Sequence, residues 1–244
     1  KKGGLPQVNH PFDVSFSTRY NSEFWDMVEI FESMEIWNGA TPFAAGTINA
    51  KAFKKWLSLL DEGKRLTATT GSDDYFGMTE WLDWLMNIVM KHPEIYPVQM
   101  NENVAYLTWL YNKVWPRLLS WVEQSNTPST IHNYVYTNGK NQPQEILQAI
   151  REGHSFISNG PLVTAEVNGV SYGEKAVLKD RTGTLSVHVF SKKPINHLWM
   201  YTGADKKVEL CAKADAAEDG FMYDIAADEF DFGDAAWALF VADG

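Results

Sequence analysis

A histidine at the end of one short strand and two aspartates at the end of another are the residues of this chain best placed to do chemistry together. His10 closes Leu5-Pro-Gln-Val-Asn-His10-Pro11, and Asp73 and Asp74 close Leu66-Thr-Ala-Thr-Thr-Gly-Ser-Asp73-Asp74-Tyr75. Imidazole and carboxylate released at one rim of parallel strands are how barrel enzymes build metal and catalytic sites. Pro11 ends the first strand, since proline cannot continue a ladder, and keeps the imidazole near that rim. Gly71-Ser72 makes a tight exit from which Asp73 points into a cleft. Asp74 is the adjacent competitor, and it faces the other way if the alternation of the strand persists. Glu35 and Asn38 come off the end of a third strand, Met34-Glu-Ile-Trp-Asn-Gly39, where Glu35 could orient a ligand. The plain alternatives are that a lone strand-end histidine is structural and that Glu35 holds a backbone amide.

The elements that must position these residues are legible in the order of the chain. Gly4 to Asn9 reads as a strand. Asn21 or Ser22 caps a helix with Phe24, Trp25, Val28 and Phe31 at helical spacing. Lys51 to Glu62 is an amphipathic helix closed by Gly63, and Leu66 to Thr70 is the next strand. Strand and helix alternating with tight connections predict parallel α/β units. Glu80 to Gln124 then holds five of the ten tryptophans, with Trp81, Trp84, Leu85 and Ile88 on one helical face. This segment predicts a helical hairpin inserted at about 78–126, packed on the rim, or serving as a lid or an aromatic dimer surface. Tyr134 to Tyr136 is a strand, and Gln144 to Glu152 a helix closed by Gly153. From Leu162 the apolar period falls to two, at Val163, Ala165 and Val167 and again at Leu185, Val187 and Val189. That change predicts an antiparallel β-sandwich over residues 161–244, following an α/β portion over residues 1–160.

Composition narrows the partners. The net charge of −10 argues against nucleic acid. Most of it lies late, with sixteen acids against nine Lys and Arg from Glu145 onward. Asp215 to Asp234 has eight carboxylates and no base, but without the spacing of an EF-hand loop it reads as a solvated edge. No apolar run is long enough to span a bilayer. The single Cys211 excludes an internal disulfide and reads as a small buried residue. The opening Lys1-Lys2-Gly3-Gly4 carries no apolar leader and no initiator Met, so an internal start is expected. The single cysteine fits a reducing compartment and also a periplasmic protein without disulfides, so cytoplasmic, periplasmic and secreted locations stay open.

Taken together, Gly-Leu-Pro-Gln-Val-Asn-His10-Pro11, Met-Glu35-Ile-Trp-Asn38-Gly, the helix to Gly63-Lys-Arg-Leu and Thr-Gly71-Ser72-Asp73 resemble the later half of PHP-domain (polymerase and histidinol phosphatase) metal-dependent hydrolases. Tyr134 to Tyr136, Ala149 to Gly153, Ser158 to Leu162 and Val167 to Gly169 resemble the carbaryl hydrolase-like branch of that group. The resemblance covers roughly residues 3–75 and 130–175. It implies a partial, distorted (β/α)7 barrel with a helical-hairpin insertion, followed by a small β-sandwich. It also implies a divalent metal (zinc, manganese or iron) whose activated water hydrolyses a small-molecule ester or phosphoester.

Residue by residue, the resemblance assigns His10 and Asp73 as metal ligands, with Asp73 and Tyr75 at the reacting centre and Glu35, Asn38 and Asp74 as supporting groups. Tyr75 stands where the family carries its last histidine, and a phenol is a poorer zinc ligand than imidazole at neutral pH. The family's early His-x-His motif, its following histidine and its glutamate would precede Lys1. His92, His132, His154, His188 and His197 do not reproduce that spacing. The helical hairpin, a second copy of the chain or a preceding segment is therefore expected to cover the open strand edges. The competing expectation is a non-catalytic binding or interaction module with a degenerate metal site.

Overall fold

A computed structural model describes residues 3–12, 22–39, 45–71, 131–139, 141–210, 214–217 and 219–243, together with single positions at 91 and 113. The chain divides into two compact units, one of residues 1–71 and 131–244, the other Ser72–Thr130. Every element below belongs to the first unit. The expected helical hairpin lies outside the described residues.

The first layer is a small parallel sheet, β1 (Gln7–Val8), β2 (Ser33–Asn38) and β3 (Thr67–Gly71), in the order β1-β2-β3. A 3-10 helix over Ser22–Ile30 precedes β2, where an α-helix was expected. Helix α1 (Ile48–Asp61) joins β2 to β3. Thr47 caps it by accepting the Ala50 amide at 3.3 Å. One face of α1 delivers Ala52, Trp56, Leu57 and Leu59 to a core shared with Val8, Met34, Ile36 and Leu66. The Trp56 indole N–H donates to the Leu66 carbonyl at 2.8 Å, so that burying the ring leaves no orphan donor.

The opposite sheet face is polar and yet buried. Ser33 is 0% exposed, Thr69 5% and Glu35 6%. Gln7 ties the three strands together there, its Oε1 accepting from Ser33 Oγ at 3.1 Å and from Thr69 Oγ1 at 3.0 Å.

The expected (β/α)7 barrel, even a partial one, is not what forms. Among the described residues the parallel pairing stops at β3, and no sheet closes. The next pair, β4 (His132–Val135) and β5 (Ser155–Ser158), is antiparallel. Helix α2 (Pro143–Glu152) lies between them in sequence, and Gly153 at φ +82° turns the chain so that β5 runs back along β4. Between β3 and β4 a side chain stands in for a backbone ladder. Asn133 Oδ1 accepts the Thr70 amide at 3.0 Å, and its Nδ2 donates to the Thr70 carbonyl at 2.7 Å.

The remaining strands are antiparallel, in two sheets. The four-stranded one has the order β10 (Ala214–Ala217), β11 (Gly220–Asp231), β7 (Thr182–Ser191), β6 (Leu162–Val167). The three-stranded one has the order β12 (Leu239–Asp243), β8 (His197–Gly203), β9 (Lys206–Glu209). Leu185, Val187 and Val189 of the first meet Leu198 and Met200 of the second in one buried cluster, the inward half of a period-two pattern. Asp61 at the end of α1 joins this part to the first layer by accepting the Ala204 amide at 2.9 Å and the Trp237 indole N–H at 3.1 Å. No helix among the described residues is long and apolar enough to cross a membrane.

Candidate functional site

Parallel strands offer a site where their C-terminal ends splay apart, and here His10, Glu35 and Asn38 gather at those ends. His10 leaves β1 with its backbone in the left-handed region, at φ +28°. Its main-chain amide donates to Glu35 Oε2 at 2.6 Å, and the same oxygen takes a longer contact from Asn38 Nδ2 at 3.4 Å. A carboxylate this buried is tolerable only when hydrogen-bonded. The other oxygen, Oε1, lies over Gly71, where a Cβ would come within 2.6 Å of it. Glycine at the end of β3 is therefore what lets Glu35 occupy its position.

Asn38 is held in turn by the first turn of α1. Asn49 Oδ1 accepts the Asn38 amide at 2.9 Å, and Asn49 Nδ2 donates to the Asn38 carbonyl at 3.3 Å. Asn49 is 2% exposed. This reciprocal pair fixes the end of β2 against the start of the helix.

The imidazole of His10 is different. Its Nδ1 is buried and has no hydrogen-bond partner among the described residues. A buried polar nitrogen left so costs on the order of 1–3 kcal/mol, which a ligand reaching it would offset. His10, Pro11, Glu35, Asn38, Ile48 and Asn49 line a shallow cleft of about 160 Å³, open solvent included.

The structure thus brings His10, Glu35 and Asn38 together, while Asp73, Asp74 and Tyr75 lie outside the described residues. Among the described residues no three His, Cys, Asp or Glu side chains converge to hold a metal ion. A catalytic zinc takes three protein ligands and keeps one open position. The described part supplies one imidazole with an orphaned nitrogen and one carboxylate already committed to the His10 amide, which does not complete such a set.

Sequence reading missed Asn49, and it read Gly71 as a tight exit before Asp73 rather than as the space that Glu35 occupies. The available signal was a polar residue in the first turn of an amphipathic helix, and a glycine directly before the Ser-Asp-Asp run.

A second polar constellation lies on the outer face of the four-stranded sheet. Ser186 Oγ sits 3.0 Å from His188 Nε2, and His188 Nδ1 sits 2.5 Å from Asp224 Oδ1, in the connectivity of a nucleophilic triad. His188 and Asp224 pair across β7 and β11 on an exposed surface, 59% and 50% open by side chain. The flanking backbone amides serve the strand ladders, which leaves no aimed donor pair for an oxyanion. The group is a surface hydrogen-bond chain, worth little in stability when so exposed.

No protein-family description, curated protein or solved structure matches the chain.

Proposed function

We propose that the chain is a metal-dependent hydrolase acting on a small-molecule ester or phosphoester, with its reacting centre at the C-terminal ends of β1–β3. The observation that carries this reading is the buried, unpartnered His10 Nδ1 at a strand end, beside an ordered carboxylate and carboxamide. In this reading His10 and Asp73 hold a zinc, manganese or iron ion, which when bound supplies an activated water. The chain's own part is positional. Glu35 fixes the main chain of His10, Asn49 fixes Asn38, and the Asn38 side chain presents a polar group to the cleft. In the same reading the Tyr75 hydroxyl donates a hydrogen bond to substrate, and Asp74 is a supporting group.

Metal analysis after incubation of the purified chain with each of the three ions, together with hydrolysis of p-nitrophenyl phosphate and p-nitrophenyl acetate, tests the proposal. The expected result is bound metal that is lost in His10→Ala and Asp73→Ala, and turnover that a chelator abolishes. A chain that retains none of the three ions sinks the proposal. One specific observation favours the second reading, a non-catalytic binding module with a degenerate site. The Glu35 carboxylate is already engaged by the His10 amide. Absence of both metal and turnover is the outcome that module requires.

A further inference from the structure

The chain contains four Asn-Gly pairs, at Asn38, Asn138, Asn159 and Asn168. Asn-Gly is the dipeptide at which asparagine most readily loses its side-chain amide, because glycine adds no Cβ to hinder attack by the following backbone nitrogen. Conversion needs two groups free to meet, the asparagine carboxamide carbon and the glycine amide nitrogen. The structure distinguishes the four pairs on that requirement.

Three pairs are restrained. At the first, the Gly39 amide donates to the Gly71 carbonyl at 2.8 Å, and Asn38 itself is buried. At the third, the Gly160 amide donates to Ser158 Oγ at 2.9 Å. At the fourth, the Asn168 carboxamide is held at both ends. Its Oδ1 accepts the Thr184 amide at 2.7 Å, and its Nδ2 donates to the Val177 carbonyl at 2.6 Å.

Asn138 differs. It lies exposed in the turn after β4, and among the described residues neither its carboxamide nor the Gly139 amide has a hydrogen-bond partner. The contrast with Asn168 is internally controlled. The two pairs share the same turn backbone, with φ of +50° and +78° at Asn138-Gly139 and +51° and +75° at Asn168-Gly169. They differ in whether the carboxamide is tied down.

We propose that Asn138 is a site of spontaneous deamidation, whose products are aspartate and isoaspartate in the β4–α2 connection. The Gly139 nitrogen attacks Asn138 Cγ and forms a new C–N bond, giving up its proton to solvent. The bond from Cγ to the side-chain nitrogen breaks and releases ammonia, leaving a succinimide. Water then opens the ring at either carbonyl, giving aspartate or isoaspartate and one added negative charge. No electrons are transferred, and water is the sole co-reactant.

The experiment ages the full chain in warm, mildly alkaline buffer, natively and in parallel in concentrated urea. Peptide mass mapping locates the amide-to-acid conversions. Methyl transfer by an isoaspartyl methyltransferase counts the isoaspartate. In the native chain Asn138 is expected to convert at least about tenfold faster than Asn168, the ratio that a net hydrogen-bond contribution of about 1.4 kcal/mol gives. In urea the four sites are expected to converge. A native Asn168, Asn159 or Asn38 that keeps pace with Asn138 overturns the assignment. So does a lead for Asn138 that persists undiminished in urea, since the preference would then be local to the sequence.

Discussion

Burial and hydrogen bonding decide what a single polar side chain in this chain can do, and Tyr172 shows this in a titratable form. Its hydroxyl donates to the Val163 carbonyl, and its ring packs at 5.7 Å from Phe156. Burial pushes the phenol up to about 12, the neighbouring Tyr136 adds to the rise, and a backbone hydrogen bond from Ala165 works against it. A raised value in the folded state means that folding favours the protonated form. The associated stability is fully present below about 10, the ordinary value of the unfolded phenol, and is lost as pH climbs toward 12. The loss is expected to be roughly 1–2 kcal/mol, discounted for a phenol that is only half-buried. Urea unfolding at stepped alkaline pH measures it, with Tyr172→Phe as the control that lacks this contribution. Equal slopes for the two proteins between pH 10 and 12 would remove Tyr172 from the account. At the same scale, the sequence pointed to His10, Glu35 and Asn38 because residue type and strand-end spacing are local properties. It could not point to Asn49 or Gly71 as partners, because their roles depend on where a helix start and a third strand end come to rest in space.

Elements formed where local pattern predicted them, and went astray where partners had to be chosen. The helix expected over Lys51 to Glu62 is α1, that over Gln144 to Glu152 is α2 with Gly153 as its left-handed cap, and the strand at Met34 is β2. Strand, helix, strand order implied parallel units over the α/β portion, residues 1–160, yet among the described residues only β1–β3 obey it. Pairing is a long-range choice, and here it is settled by features with no periodic signature: the left-handed Gly153 and the carboxamide of Asn133. The Asn133 side chain makes both hydrogen bonds that hold Thr70 of β3 to β4. Asn133→Ala is therefore expected to destabilise the fold by about 1–3 kcal/mol, since two backbone groups lose their partners together. Asn133→Asp is expected to fall between, because it keeps an acceptor for the Thr70 amide and loses the donor to the Thr70 carbonyl. Denaturant midpoints of the three proteins report the order. Should Asn133→Ala match the parent, solvent rather than this side chain satisfies the edge of β3.

The composition of the whole chain allowed one large domain or two, and the change from helical to two-residue periodicity near Leu162 suggested two bodies. The contacts within the unit formed by residues 1–71 and 131–244 argue that its parallel layer and its antiparallel sheets share their stability. Tyr201, Trp237 and Leu239 pack on the core around α1, and Phe53 meets Tyr201 edge-on at 5.7 Å. Arg65 donates to the Gly173 carbonyl at 2.9 Å, next to the point where a Cβ on Gly173 would come within 2.8 Å of the Gly153 carbonyl carbon. Asp61 serves two donors from the antiparallel part at once. Separate buried clusters remain on the two sides, so the alternative of two independent opening units is physically available. Hydrogen exchange followed by mass spectrometry across a urea series separates them. Amides of β2 and β7 are expected to lose protection over the same urea range. Asp61→Ala, which strands the Ala204 amide and the Trp237 indole, is expected to lower both opening free energies by about 1–2 kcal/mol. If β7 stays protected after β2 has opened, or if Asp61→Ala weakens β2 alone, the antiparallel sheets stand by themselves. The parallel layer with His10 and Glu35 would then be an attachment that can open without them.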